Sequence, residues 1–306
     1  MATPVAASDL AARTDRTFAV LAAYVKLTKP RIIELLLITT VPAMFLAASG
    51  VPKLSLVVAT LIGGTGAAGG ANAINQYLDR DIDQLMRRTK HRPLPEHTIP
   101  PANALVFGLA LAVGSFAFLA FTTGLLAAWL ALSAVAFYAV IYTMWLKRRT
   151  VQNIVVGGAA GAVPVLVGWA AVTGRVGAPA LGLFAIVFLW TPPHFWALSL
   201  VYREDYAAAG VPMLPVVVGV DRTVRQMWWY AVVLVAATLL FVPIGRMGFT
   251  YDAAAAGLGA WFLLSIWKLR RAVSHRRAMQ VFRVSIGYLT LLFAAVALDA
   301  FLRRAV

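Results

Sequence analysis

Residues 54–83 read LSLVVATLIGGTGAAGGANAINQYLDRDID. Leu54 to Tyr77 contains no charged residue, and Asp79, Asp81 and Asp83 follow directly. A hydrocarbon core about 30 Å thick is crossed by about 20 residues of helix rising about 1.5 Å each. The stretch therefore predicts a transmembrane helix that ends in a carboxylate cluster at a membrane surface. Its continuous apolarity excludes a barrel strand, which would alternate between lipid and lumen.

Working outward, similar runs occupy approximately 32–50, 102–121, 125–145, 153–172, 179–201, 227–245, 253–267 and 281–301, of which 253–267 is the shortest. The composition agrees. Of 306 residues 61% are hydrophobic and 13% charged, against about 25% charged in a soluble domain. The expectation is an all-α, polytopic integral membrane protein with nine transmembrane helices. Residues 1–28 are expected to be a short, partly disordered cytoplasmic tail, and 29–306 a single transmembrane domain without internal repeats. The absence of cysteine removes disulfides, thiolate metal sites and cysteine nucleophiles.

A net charge of +15, from 27 Lys and Arg against 12 Asp and Glu, would in a soluble chain suggest a nucleic-acid partner. Here it reads as topology, with the lipid bilayer as partner and no nucleic acid. Nine spans place all the basic residues on one side except Lys53, Arg175, Arg246, Arg303 and Arg304, so 22 of 27 share a side. The positive-inside rule makes that side cytoplasmic, with the N-terminus inside and the C-terminus periplasmic or otherwise extracytoplasmic. Asp9 and Asp15, with no apolar run close behind a basic start, argue against a signal or transit peptide, and a bacterial inner membrane is the expected address.

The scarce acids are informative. Asp79, Asp81 and Asp83 follow the second span, and Glu204 and Asp205 follow the sixth, both on the cytoplasmic side. At about 3.6 residues per turn, positions 75, 79 and 83 advance about 40° per step, so Asn75, Asp79 and Asp83 line one face while Asp81 points away. Such oxygen ligands suit Mg²⁺, which takes one or two protein carboxylates and completes its shell with water and substrate phosphate. The plainer alternative is a solvated helix end whose aspartates offset Arg80, Arg87 and Arg88. Two acidic clusters on one side, each followed by basic residues, argue against it. Most of the basic residues, Lys29 among them, read as topology and headgroup contact.

Asn75-x-x-x-Asp79-x-x-x-Asp83 at a helix end of a nine-span protein resembles the first aspartate-rich motif of the UbiA superfamily of intramembrane prenyltransferases. Leu27-Thr-Lys29-Pro30-Arg31, Arg88-Thr-Lys-His-Arg92-Pro-Leu-Pro95, Tyr142-Thr-Met-Trp-Leu-Lys147-Arg-Arg-Thr150 with Asn153, Pro193-His194-Phe195-Trp196 and Tyr202-Arg-Glu204-Asp205-Tyr206 resemble its heme-farnesylating branch. Where many members carry a second Asp-x-x-x-Asp, this chain has Tyr202 and Tyr206, with Glu204 and Asp205 between them. Asp205 is the stronger candidate there and Glu204 the weaker.

The resemblance implies a UbiA-like helix bundle that transfers the farnesyl group of farnesyl diphosphate to a vinyl group of heme B, with water addition, giving heme O and diphosphate. It implies Asn75, Asp79, Asp83 and Asp205 as catalytic residues and Mg²⁺ ligands with Glu204, and Arg88, Arg92 and Lys147 on the diphosphate. It also implies hand-off of the product to a heme A synthase or a terminal oxidase assembly. Pro192, Pro193 and His194 are expected to interrupt the sixth span. His194 is a candidate heme contact and equally a structural histidine bonded to a neighbouring helix. Glu34 is an interface residue or a cavity acid. The glycines of spans two and five (Gly63, Gly64, Gly66, Gly69, Gly70, Gly157, Gly158 and Gly161) are expected to let helices approach. The rival readings are prenylation of an aromatic acid or quinone precursor and a secondary transporter. A transporter would place its site near the midplane of repeated halves, which this sequence does not suggest.

Overall fold

The computed structural model describes residues 18–303, so the part of the expected tail before Phe18 lies outside the described residues. Its remainder, Phe18–Thr28, is helical (α1). Next come α2 (Pro30–Ala47), α3 (Leu54–Leu78), the short α4 (Arg80–Leu85) and α5 (Pro101–Thr122). Then follow α6 (Leu125–Arg149), α7 (Asn153–Thr173) and α8 (Ala178–Val201). The short α9 (Arg203–Ala208) and α10 (Leu214–Val217) precede α11 (Val220–Gly245), α12 (Phe249–Arg271) and α13 (His275–Leu302). No strand occurs among the described residues.

Eight of these helices are long and apolar enough to cross a bilayer, and α2, at 18 residues, completes the nine positions read from the sequence. The largest differences are at the ends that carry the basic residues: α11 starts at Val220, ahead of 227. Helix α12 runs for 23 residues, well beyond the expected 253–267, and α13 starts at His275, ahead of 281. The extensions that carry Arg222 and Arg225, Lys268 to Arg271, and His275 to Arg277 are basic, because a helix can continue into the headgroup layer once its arginines reach water.

Each spanning helix packs against the next and α13 returns to α2, with α2 also against α7 and α8 against α13. One apolar core lies among α2, α7, α8 and α11–α13, and a second, rich in alanine, among α3, α5, α6 and α7. In a bilayer such association rests on close packing, which small residues permit. A Cβ on Gly70 would come within 2.7 Å of the Gly108 carbonyl oxygen of α5, and one on Gly66 within 2.2 Å of Ser115 Oγ. The expectation holds for Gly63, Gly66, Gly69 and Gly70 of α3 and for Gly157 and Gly158 of α7, which lie against Tyr142 and Thr191, whereas Gly64 and Gly161 have no close neighbour.

The expected break at Pro192–His194 does not occur, and α8 is continuous through it. Trp190 donates to the Ser285 carbonyl at 2.7 Å, and His194 Nδ1 lies 2.7 Å from Ser285 Oγ. These two bonds to α13 bracket the prolines and hold the helix where its own ladder is weakened. Glu34 is exposed.

Candidate active site

Helix α3 stops at Leu78 and α4 restarts at Arg80, so Asp79, with φ −92° and ψ 3°, is the joint between them. The ladder crosses the joint: Asp79 N–H donates to the Asn75 carbonyl at 2.9 Å and Asp83 N–H to the Asp79 carbonyl at 2.8 Å. Asn75, Asp79 and Asp83 therefore keep the one-face spacing read from the sequence. All three are buried, Asp79 completely. Asp81 points elsewhere, into a two-pronged pair with Arg148 at 2.7 Å on each oxygen. That hydrogen bonding holds its carboxyl below the usual range, at about 2.

A buried carboxylate needs a charged or hydrogen-bonding partner, and each here has one from a distant element. Lys147 Nζ donates to Asp79 Oδ2 at 2.5 Å, and Arg92 Nη1 sits 2.7 and 2.9 Å from the two oxygens of Asp83. Asn75 donates from Nδ2 to Asp79 Oδ2 at 2.7 Å and to Thr143 Oγ1 at 3.1 Å. Lys147 and Thr143 come from α6, whose segment Phe137–Leu146 is π-helical. Thr143 Oγ1 donates to the Tyr138 carbonyl five residues back at 2.7 Å, and Lys147 N–H bonds the Tyr142 carbonyl. Single-turn i→i+5 stretches recur at functional sites, and this one places Thr143 and Lys147 against Asn75 and Asp79.

Asp205, on α9, is buried, whereas the Glu204 side chain is 87% exposed. Arg87 Nε donates to Asp205 Oδ1 at 2.8 Å and its Nη2 reaches Glu204 at 3.2 Å, while Arg88 N–H donates to Asp205 Oδ2 at 3.3 Å. The loop after α4 thus ties the two acidic segments together. The Arg88 guanidinium lies 5.5 Å from the Tyr202 ring centroid, so Tyr202, at a departure from the superfamily pattern, supports a cation.

Lys29 stands in the site, contrary to its reading as a topology residue. Its Nζ donates to Asn75 Oδ1 at 2.7 Å. Lys29 sits in the left-handed turn between α1 and α2 at φ 53°, pinned by two amides of α3. Asn72 donates to the Thr28 carbonyl and Gln76 to the Leu27 carbonyl, each at 2.8 Å. Loss of water around its ammonium, followed by repulsion from Arg92, holds the Lys29 pKa well below the ordinary lysine value, although the side chain as a whole is only half-buried. Arg87 and Arg148 are further site residues that the sequence reading left among the topology charges. The signal for all three was their place in or beside a quoted motif, which spacing alone could not convert into a contact.

Among the described residues no three His, Asp or Glu side chains gather tightly enough to hold a metal by themselves. The donor set nevertheless fits Mg²⁺, which needs few protein oxygens. Asp79 Oδ1 is buried with no hydrogen-bond partner, and a cation beside it, Arg148 Nη2, is 3.9 Å away. An orphaned hard anionic oxygen between Asn75 and Asp83 has the chemistry to take such a cation. Six cations, Lys29, Arg87, Arg88, Arg92, Lys147 and Arg148, face five carboxylates, which leaves the site receptive to an anion. His194 lies eleven residues before Asp205, roughly 16 Å along a helix, packed between Trp190 and Phe282 at ring-centroid distances of 4.1 and 4.6 Å. That is the geometry of the structural alternative.

The model of the UbiA prenyltransferase family matches residues 36–295. Protoheme IX farnesyltransferase of Frankia casuarinae is 54% identical over 280 residues, covering 90% of this chain and 97% of the relative. The enzyme of that name from Gloeobacter violaceus is 54% identical over 286 residues, covering 93% and 94%. Protoheme IX farnesyltransferase 1 of Saccharopolyspora erythraea is 53% identical over 304 residues, covering 98% and 96%. Among solved structures, a digeranylgeranylglyceryl phosphate synthase shares the fold with a TM-score of 0.76 at 18% identity, over 92% of this chain and 99% of the other. A UbiA homolog from Archaeoglobus fulgidus, bound to DMAPP and Mg²⁺, does so with 0.67 at 17% identity, over 89% and 98%. The fold agrees with these relatives, and the chain belongs to the UbiA prenyltransferase family.

Proposed function

We propose that this protein transfers the farnesyl group of farnesyl diphosphate to a vinyl group of heme B, with addition of water, to give heme O and diphosphate. The observation that carries the reading is the pairing of buried Asp79 and Asp83 with Lys147 and Arg92, beside an orphaned carboxylate oxygen, at one end of an intramembrane bundle. Identity above 50% to protoheme IX farnesyltransferases over nearly the whole chain supports heme as the acceptor. The family reading favours prenyl transfer over solute transport.

Asn75, Asp79, Asp83 and Asp205 are the residues proposed to hold Mg²⁺, with the exposed Glu204 the weakest donor of the set. When bound, the metal supplies electron withdrawal from the diphosphate leaving group. Arg88, Arg92 and Lys147, joined by Lys29, are proposed to neutralise the remaining diphosphate charge, and the charge that grows on it as the allylic C–O bond breaks. The vinyl carbon of heme B then bonds to the farnesyl carbon. Water adds to the resulting cation and releases a proton, leaving a hydroxyethylfarnesyl group. The apolar walls of the bundle exclude water until that step. His194 is proposed to lock α8 to α13 and so shape the heme side of the bundle.

The proposed setting is a bacterial inner membrane with the site at the cytoplasmic face, supported by the 22 basic residues on that side. The product stays in the bilayer, which suits hand-off to a heme A synthase or terminal oxidase assembly. Mass spectrometry of heme extracted after incubation with farnesyl diphosphate and Mg²⁺ tests the reading. A farnesylated, hydrated heme supports it. Unchanged heme beside a prenylated aromatic acid, or solute movement without diphosphate release, overturns it.

A further inference from the structure

Away from the active site, a second group of basic residues has no carboxylate partners. Arg222, Arg225, Lys268, Arg270, Arg271 and Arg276 are all exposed, and none is in an ion pair among the described residues. Asp221 is the one acid at the ends of α11, α12 and α13 that carry them, because Asp252 and Asp299 lie toward the opposite ends of α12 and α13. The cations around Asp79, Asp83 and Asp205, by contrast, are largely matched to carboxylates. Topology alone asks only for positive charge on this face and does not ask for organised charge.

The organisation is in two arginines. A groove of about 430 Å³ lies between α11 and α12, lined by Trp228, Ala260, Leu263, Leu264 and Trp267. Leu264 and Trp267 are 54% and 42% exposed, so the groove opens toward lipid. Both of its indoles carry a guanidinium. Arg270 Cζ reaches across to α11, 5.4 Å from the Trp228 ring centroid, and Arg271 Cζ lies 5.0 Å from that of Trp267. Such contacts fix otherwise mobile arginines at the headgroup end of an apolar trough.

We propose that this groove binds an anionic diacyl phospholipid, one acyl chain lying between Trp228 and Trp267 and the phosphate held by Arg270 and Arg271, with Lys268 beside them. A zwitterionic headgroup would bring a second positive charge against an unneutralised cluster and is disfavoured. The inference rests on the membrane-spanning fold and is independent of the reaction proposed above.

Native mass spectrometry of the full-length protein, from bilayer discs of equimolar dioleoylphosphatidylglycerol and dioleoylphosphatidylcholine, tests it. Two added charge contacts predict about thirty-fold preferential retention of one phosphatidylglycerol. Arg270→Gln with Arg271→Gln should bring the preference to within about threefold. Arg31→Gln with Arg149→Gln, equal charge loss on the same side, should leave it intact. Ala260→Trp, which fills the trough from its lipid side, should expel the lipid. Four results overturn the proposal: equal retention of the two lipids by the unaltered protein, equal loss of preference in both double variants, undiminished retention in Ala260→Trp, or release of the lipid by inorganic phosphate alone.

Discussion

Replacing Lys29 separates an active-site role from a topological one. Its ammonium donates at 2.7 Å to Asn75 Oδ1, and Asn75 in turn donates to Asp79. A hydrogen bond from a charged donor contributes about 1.5–3 kcal/mol. If Lys29 also faces the departing diphosphate, Lys29→Met should lower kcat/KM by about 10–150-fold, the same energy read as a rate. The turn supplies an internal control. At φ 53° the residue is in the left-handed region, where a non-glycine side chain costs about 1–2 kcal/mol. Lys29→Gly removes the cation and relieves that strain, while Lys29→Met removes the cation and keeps it. Both should lose activity to the same extent, and the glycine variant should be the more stable by about 1 kcal/mol. The assay is Mg²⁺-dependent appearance of farnesylated heme and diphosphate, with thermal unfolding in detergent measured in parallel. Wild-type kcat/KM in Lys29→Met would refute the placement. Activity that followed stability across the two variants would assign the loss to folding.

Asp79→Asn should abolish turnover while keeping an oxygen for Lys147 to bond; Asp79→Ala should lower stability further, by about 3–5 kcal/mol in all, because it leaves the buried Lys147 charge with neither carboxylate nor acceptor. Residual Mg²⁺-dependent turnover above a few per cent in Asp79→Asn would exclude Asp79 from the reaction. Asp81→Asn should cost only about 1 kcal/mol, since its side chain is 60% exposed. Its carboxyl is depressed to about 2 in the folded protein, so its contribution is complete above the unfolded value near 4 and lost as pH falls toward 2. The unfolding-temperature gap between wild type and Asp81→Asn should therefore be constant from pH 8 to about 5 and close below about 4. Asp299, at the opposite end of the bundle, accepts from Gly248 N–H at 2.9 Å and pairs with Arg303 at 2.8 Å. Asp299→Ala should lower stability by about 2–4 kcal/mol yet leave kcat of the folded protein unchanged, as measured below the shifted transition.

Helix number and the location of the carboxylates were legible in the chain because both are local. The bilayer demands about 20 consecutive apolar residues whatever surrounds them, and Asn75, Asp79 and Asp83 share a face through helical spacing alone. Asp205 was expected to be the stronger metal candidate and Glu204 the weaker; the structure buries the first and exposes the second. The Pro192–His194 break was misread because proline weakens the ladder locally, while the bonds to Ser285 that repair the helix come from α13, more than ninety residues away.

The sequence by itself determined a basic-faced nine-helix membrane protein with two acidic segments on one side. Only the tertiary structure decided which cations meet those acids, Lys147 and Arg148 from α6 and Arg87 and Arg92 from the loop after α4, and that Lys29 of the α1–α2 turn meets the Asn75 amide between them. Apolar runs and helical phase are written in neighbouring residues. A charge partner 68 or 118 positions away, or an amide 46 away, is selected by how the helices close into one bundle and by the cost of leaving a buried charge unpaired.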